Sequence, residues 1–126
     1  MPTITTTLRP HECLKRPEDF KAVYDNRRSV ADESVIVYGR PNGLDHCRLG
    51  MSVSKKKYRR AVHRNRVRRL FREAYRLSKP DLPTGVDLIV LPRRGGDEFT
   101  LAGRRESLTT LVAKLHRRLT REGEPE

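Results

Sequence analysis

At 126 residues the chain can hold one modest core and is too short for two. Charged residues and hydrophobic residues each make up 35%, and the apolar ones recur in periodic groups, so the chain is expected to fold as one domain over 1–126. A net charge of +12 points to a polyanion, with nucleic acid ahead of an anionic membrane surface; no apolar run reaches the roughly 18 residues of a membrane span and no secretory signal opens the chain, so the cytoplasm is the expected compartment.

Residues 1–13 are rich in Thr and Pro without a sustained period and read as a flexible tail. Pro17 suits the first position of a helix, Glu18 and Asp19 match its N-terminal dipole, and Phe20, Val23 and Tyr24 follow at i, i+3 and i+4. This short helix is expected to end near Asn26. Residues 28–31 read as a short strand, and residues 34–40, SVIVYGR, as a stronger one. Asn42-Gly43 within 41–45 reads as a hairpin loop. In residues 47–54, Cys47, Leu49, Met51 and Val53 alternate with Arg48, Gly50, Ser52 and Ser54. That is a strand with one apolar face and one small, polar face against which something can lie.

A basic connection covers 55–60, and a long helix is expected over 61–77, where Val67, Leu70, Phe71, Ala74 and Tyr75 form the apolar stripe. Residues 80–85 form a loop bounded by helix breakers. Residues 86–91, VDLIVL, read as an apolar strand, 93–97 as a basic, Gly-rich turn, and 102–120 as a final helix with Leu108, Leu111, Val112, Leu115 and Leu119 on one face. Residues 121–126 read as a flexible acidic tail. The order α-β-β-β-α-β-α suggests a two-layer α/β sandwich with a mixed sheet.

The charge is concentrated. Residues 55–76, KKKYRRAVHRNRVRRLFREAYR, hold eleven Lys/Arg and one acid, Glu73, and so carry +10; the remaining 104 residues hold seventeen basic and fifteen acidic groups. Arg64, Arg68, Arg72 and Arg76 recur in steps of four and form a row along one helix side, each a planar fork of donors suited to phosphate. Glu73 cannot balance them, and like charges at this spacing repel, so an external anion is expected to supply the counter-charge. Asn65, between Arg64 and Arg66, has two open readings: a local cap, or a contact to backbone or base beside phosphate-bound neighbours. Phe20 and Tyr24 also have two: core packing, or an aromatic wall for single-stranded nucleic acid beside the small face of the sheet.

Signals for catalysis by the chain itself are poor. No phosphate-binding loop, nucleophile elbow or paired-carboxylate centre is present, and His63 stands alone among cations. Cys13 and Cys47 are expected to be reduced. The pairs His11/Cys13 and His46/Cys47 lack the spacing of a zinc site, so no protein-held metal is expected. Two binding classes fit the charge: a ribosomal or other structural RNA-binding protein, and a DNA-binding domain, for which no helix-turn-helix partner is evident.

The block over 48–76 resembles the signature of the bacterial ribonuclease P protein component. Its parts are Ser54-Lys55-Lys56 ending a strand, Arg59-Arg60-Ala61 in a basic linker, Arg64-Asn65-Arg66 opening a helix, and Arg72-Glu73 near that helix's end. Residues 14–20, 87–91 and 108–119 are similar to the family's first helix, last strand and final helix. The resemblance implies an α+β fold like the second domain of ribosomal protein S5, with a mixed four-stranded sheet. It also implies a protein subunit of a ribonucleoprotein endoribonuclease that removes the 5′ leader of precursor tRNA, with no catalytic residue of its own and with Mg2+ held mainly by the RNA subunit. The implied partners are ribonuclease P RNA and precursor tRNA, with no membrane and no obligate protein partner. The implied RNA face is Lys55, Lys56, Arg60, Arg64, Asn65, Arg66, Arg68, Arg69 and Arg72. The implied leader cleft is Phe20, Tyr24, Val35, Val37 and Ser52, with Arg68 and Arg72 at its edge.

Overall fold

The computed structural model describes residues 10–32, 35–93 and 101–123, with side chains in the last helix over 103–119. Residues 1–9 and 124–126 of the expected tails, Ser34, and residues 94–97 of the Gly-rich turn lie outside the described residues. A 3-10 turn at Pro10–Glu12 leads to α1 (Pro17–Asp25), β1 (Ser29–Ala31), β2 (Val35–Pro41), β3 (Arg48–Met51), α2 (Ala61–Ser78), a second 3-10 turn (Lys79–Asp81), β4 (Val86–Pro92) and α3 (Leu101–Gly123).

The expected elements and the mixed four-stranded sheet are present. The strand order is β1-β2-β4-β3, with β2 antiparallel to both β1 and β4, and β3 parallel to β4. The last strand in sequence is therefore inner. Packed on both faces, β4 is almost uniformly apolar, as a doubly covered strand must be. This corrects the expectation of a β2–β3 hairpin. The Asn-Gly turn does reverse the chain, but β4 lies between the two strands it joins. Asn42 holds the splayed turn: its backbone N–H donates to the Gly85 carbonyl at 2.9 Å and its Nδ2 to Asp87 Oδ1 at 2.8 Å.

One sheet face carries α2 and α3 and the main core. Val35, Val37, Leu88, Val90, Val67, Phe71, Leu108 and Leu115 are all at most 1% exposed there. The amphipathic stripes read from α2 and α3 are the faces that pack, and this pair with the sheet makes the two layers. Among the described residues, the other face carries α1, over a small cluster of Leu14, Val23 and Ile89 with Phe20, Tyr24, Tyr38 and Leu91 packed around it. Residues 10–13 and 121–123, read as parts of the tails, are ordered into the fold. Glu12 is buried and meets Lys79 at 2.5 Å, Cys13 and Leu14 dock on Leu49, and α3 continues to Gly123. A buried carboxylate left unpaired would be costly, so the Glu12–Lys79 contact ties residues 10–14 to the end of α2.

Candidate nucleic-acid interface

The basic connection is shaped by a few anchors. Ser54 Oγ accepts from the backbone N–H of Lys56 at 3.2 Å and of Lys57 at 3.4 Å, and Tyr58 N–H donates to the Ser54 carbonyl at 2.9 Å. The Tyr58 ring is 1% exposed and packs edge-on against His63. With the tyrosine driven into the core, Lys55, Lys56, Lys57, Arg59 and Arg60 are left facing water.

Helix α2 begins at Ala61 behind Arg60, whose side chain makes no cap, and its first turn contains no acid. The positive end of the helix dipole therefore coincides with a cluster of cations, an arrangement that favours an anion from outside. Arg64 folds back and donates to the carbonyls of Tyr58 at 3.0 Å and Arg59 at 2.9 Å, so it also holds the connection onto the helix. Asn65 lies in the second turn and is exposed. It is too far inside the helix to cap it, which removes the capping reading. Arg66, Arg68, Arg69 and Arg72 are exposed.

Glu73, the one acid of α2, pairs with Arg76 through both guanidinium Nε (3.0 Å) and Nη2. The carboxyl is held below its ordinary range by this hydrogen bond, and the guanidinium is raised by the same contact. Among the described residues, Arg60, Arg66, Arg68, Arg69 and Arg72 meet no carboxylate. Val62, 71% exposed in the first turn, adds an apolar contact to this surface that the sequence reading left unassigned.

The α1 side of the sheet borders the arginine row. A recess of about 160 Å³ is lined by Leu14, Phe20, Gly50 and Met51 together with Arg68 and Arg72. Phe20 is half-buried, with its ring lying on Gly50. A Cβ at that position would stand 2.7 Å from the ring's Cζ, so only glycine permits this approach. The space offered by the small sheet face is thus taken partly by Phe20 itself. Further along, Tyr24 meets Tyr38 edge-on with centroids 5.0 Å apart. Burial pushes the Tyr24 phenol up, while its hydrogen bond with Ser52 acts the other way. Ser52 is exposed.

Val35 and Val37 do not belong to this surface. Both are 0% exposed and lie under α2 and α3 on the opposite face. Side chains alternate along a strand, so if Val35 and Val37 face the core then Ile36 and Tyr38 face α1. The cross-strand partners agree: Tyr38 lies opposite Ile89, and Ile36 opposite Leu91. The alternation could not choose between the two sets because both are apolar.

A larger cavity of about 480 Å³ lies elsewhere, beside His11, His46, Tyr75 and Lys79. Its two imidazoles meet edge-on at 4.9 Å, and His46 Nδ1 is 2.8 Å from Asp45 Oδ1. Cys47 Sγ donates to the Pro83 carbonyl at 2.9 Å, and burial pushes its thiol up. Cys13 and Cys47 are both free thiols. Among the described residues no group of three or more His, Cys, Asp or Glu is placed to hold a metal, and no helix is long and apolar enough to cross a membrane.

The sequence model of the family described as Ribonuclease P matches residues 8–116, which spans every element from the first turn into α3. The chain belongs to the ribonuclease P protein family. Curated relatives named ribonuclease P protein component include one from Pelotomaculum thermopropionicum, 39% identical over 82% of this chain and 91% of the relative. Another, from Photorhabdus laumondii, is 37% identical over 83% of this chain and 84% of the relative. The fold agrees with that of the ribonuclease P protein from Thermotoga maritima (TM-score 0.74, 32% identity, 82% of this chain and 96% of that one). It agrees also with the ribonuclease P protein from Staphylococcus aureus (TM-score 0.70, 34% identity, 84% and 95%).

Proposed function

We propose that this chain, as the protein subunit of ribonuclease P, binds the catalytic RNA through residues 55–60 and the outer side of α2, and takes the unpaired 5′ leader of precursor tRNA over the α1 side of the sheet. The observation that carries this reading is the recess that brings Phe20 and Gly50 together with Arg68 and Arg72. Half-buried rings beside cations that meet no carboxylate among the described residues suit a single strand, whose bases stack and whose phosphates need counter-charge. The contacts proposed for the RNA subunit are Lys55, Lys56, Arg60, Arg64, Asn65, Arg66 and Arg69. Those proposed for the leader are Phe20, Tyr24, Ser52, Ile36 and Tyr38, with Arg68 and Arg72 on the border.

The chain's own residues do not fit a metal on this surface. The only carboxylate of α2 is engaged by Arg76, and cations repel a divalent ion. On this reading the Mg2+ that phosphodiester cleavage uses would be held mainly by the RNA subunit. What this chain does is bind, orient and neutralise.

Adding the protein to a ribonuclease P RNA and precursor tRNA at low magnesium should increase leader cleavage over the RNA alone. The gain should shrink as magnesium rises and screens repulsion between the two RNAs. No gain at any magnesium concentration overturns the reading. A structural RNA binder would bind precursor and mature tRNA alike, whereas a leader-binding subunit favours the precursor.

A further inference from the structure

Arg48, the first residue of β3, reaches in two directions. Its Nε and Nη2 donate to the two carboxylate oxygens of Asp87 on β4, at 2.8 and 2.6 Å. Its Nη1 lies 3.8 Å from Oδ2 of Asp19 in the first turn of α1. The Asp87 side chain is 2% exposed and also accepts from Asn42. A buried carboxylate with three donors is fixed in place, and a bidentate fork locked onto it is fixed in turn. That leaves the Nη1 edge of the guanidinium aimed at α1.

Few other contacts set where α1 begins. Its N-cap, Arg16, makes no side-chain cap. The apolar cluster beneath the helix has three buried members. Leu14 N–H donates to the Leu49 carbonyl at 2.9 Å, which ties the preceding segment to the same strand. Asp19 is the residue immediately before Phe20, and Arg48 stands two residues from Gly50, on which the Phe20 ring lies.

We infer that Arg48, acting through Asp19, is a positioning residue for the single-stranded RNA cleft: it fixes the start of α1 over the sheet and so the stance of Phe20 beside Gly50. The inference rests on the proposed reading of the α1 side as the leader cleft. Asp19→Asn removes the link to α1 and leaves the buried Asp87–Arg48 pair intact. Glu18→Gln makes the same charge change in the same helical turn, at an exposed residue with no contact to Arg48.

The measurement is the affinity of the protein–RNA holoenzyme for precursor tRNA against mature tRNA, with apparent KM and kcat for leader cleavage. Asp19→Asn should lower the precursor preference about two- to fivefold, the range for a partly exposed ion pair. KM should rise while kcat at saturation and binding of the RNA subunit stay as in wild type, and the thermal midpoint should fall by no more than a few degrees. Glu18→Gln should change none of them. Arg48→Lys, which keeps the charge and loses the fork, should also lower the precursor preference, and because it disturbs the buried Asp87 pair it should lower the thermal midpoint more than Asp19→Asn does. An Asp19→Asn protein with full precursor preference overturns the inference, as does an equal loss in Glu18→Gln. A wild-type protein without any precursor preference would overturn the cleft reading itself, and the inference with it.

Discussion

On one face of the sheet, Val35, Val37, Leu88 and Val90 lie under α2 and α3 at no more than 1% exposure. On the other, Ile36, Tyr38 and Leu91 lie beside a nine-residue helix and stay half-buried. The first face is closed by two long helices with continuous apolar stripes. The second is covered by one short helix that cannot span four strands, and what it leaves open is bordered by rings, a serine and the arginines of α2. The closed face supplies stability; on the proposed reading, the open face is apolar enough to stack a base and wet enough to admit one. A stability variant and a binding variant should therefore fall on opposite sides of the same strands.

The sharpest way to break that division is Phe71→Ala. Phe71 is 1% exposed in the main core, and its truncation should cost about 3–5 kcal/mol in denaturant unfolding through lost transfer energy and the cavity left behind. Because α2 presents the cations, weakening its inner side should also weaken RNA binding in proportion to the unfolded fraction. If RNA binding fell while stability did not, the inner stripe of α2 would be part of the binding surface and the division would fail.

The sequence carried the closed face well and the open face poorly. A helix advertises its buried side because the other side is polar, so Val67, Phe71, Ala74 and Tyr75 were legible. Strand β2 gives no such contrast, because Val35/Val37 and Ile36/Tyr38 are equally apolar; the choice of side depends on which set α2 and α3 cover, a tertiary fact. The insertion of β4 between β2 and β3 was hidden for a related reason. Asn42-Gly43 specifies a reversal but says nothing about how far apart the reversed strands lie. Residues 47–54, by contrast, alternate apolar against small or polar, and Cys47, Leu49 and Val53 do lie in the main core, although only Arg48–Met51 form β3 and the space beside Gly50 is filled by the Phe20 ring. The arginine row was legible as charge. That two of its members meet Phe20 across a recess depends on the packing of α2 against the β3 edge, which no local pattern encodes.

Gly50→Ala sharpens the comparison with a smaller effect. The added methyl would stand 2.7 Å from Phe20 Cζ and 3.1 Å from Leu14 Cδ1. Phe20 is a side chain rather than backbone and can swing away, so the cost should be about 1–2 kcal/mol, well below that of Phe71→Ala. Precursor preference should fall more than stability, because the ring that moves is the one proposed to stack. A stable variant with unchanged precursor preference would show that the stance of Phe20 does not matter to the leader.

The smallest stability effect is expected from replacing Arg68 and Arg72 together by Ala. Both are exposed and meet no carboxylate among the described residues, so unfolding should change by no more than about 0.5 kcal/mol. Removing two like charges one turn apart even relieves some repulsion along α2. Their contribution to binding comes from displaced counterions. Each lost phosphate contact should therefore flatten the slope of log K against log salt by roughly 0.7–0.9, and the double variant by about twice that. The size of the change separates the partners. If Arg68 and Arg72 serve the leader, the slope should flatten for precursor tRNA and hold for the RNA subunit alone; if they belong to the continuous face of α2, both slopes should flatten together. Unchanged slopes for both would mean that neither side chain touches phosphate, and the open face would lose its cationic border.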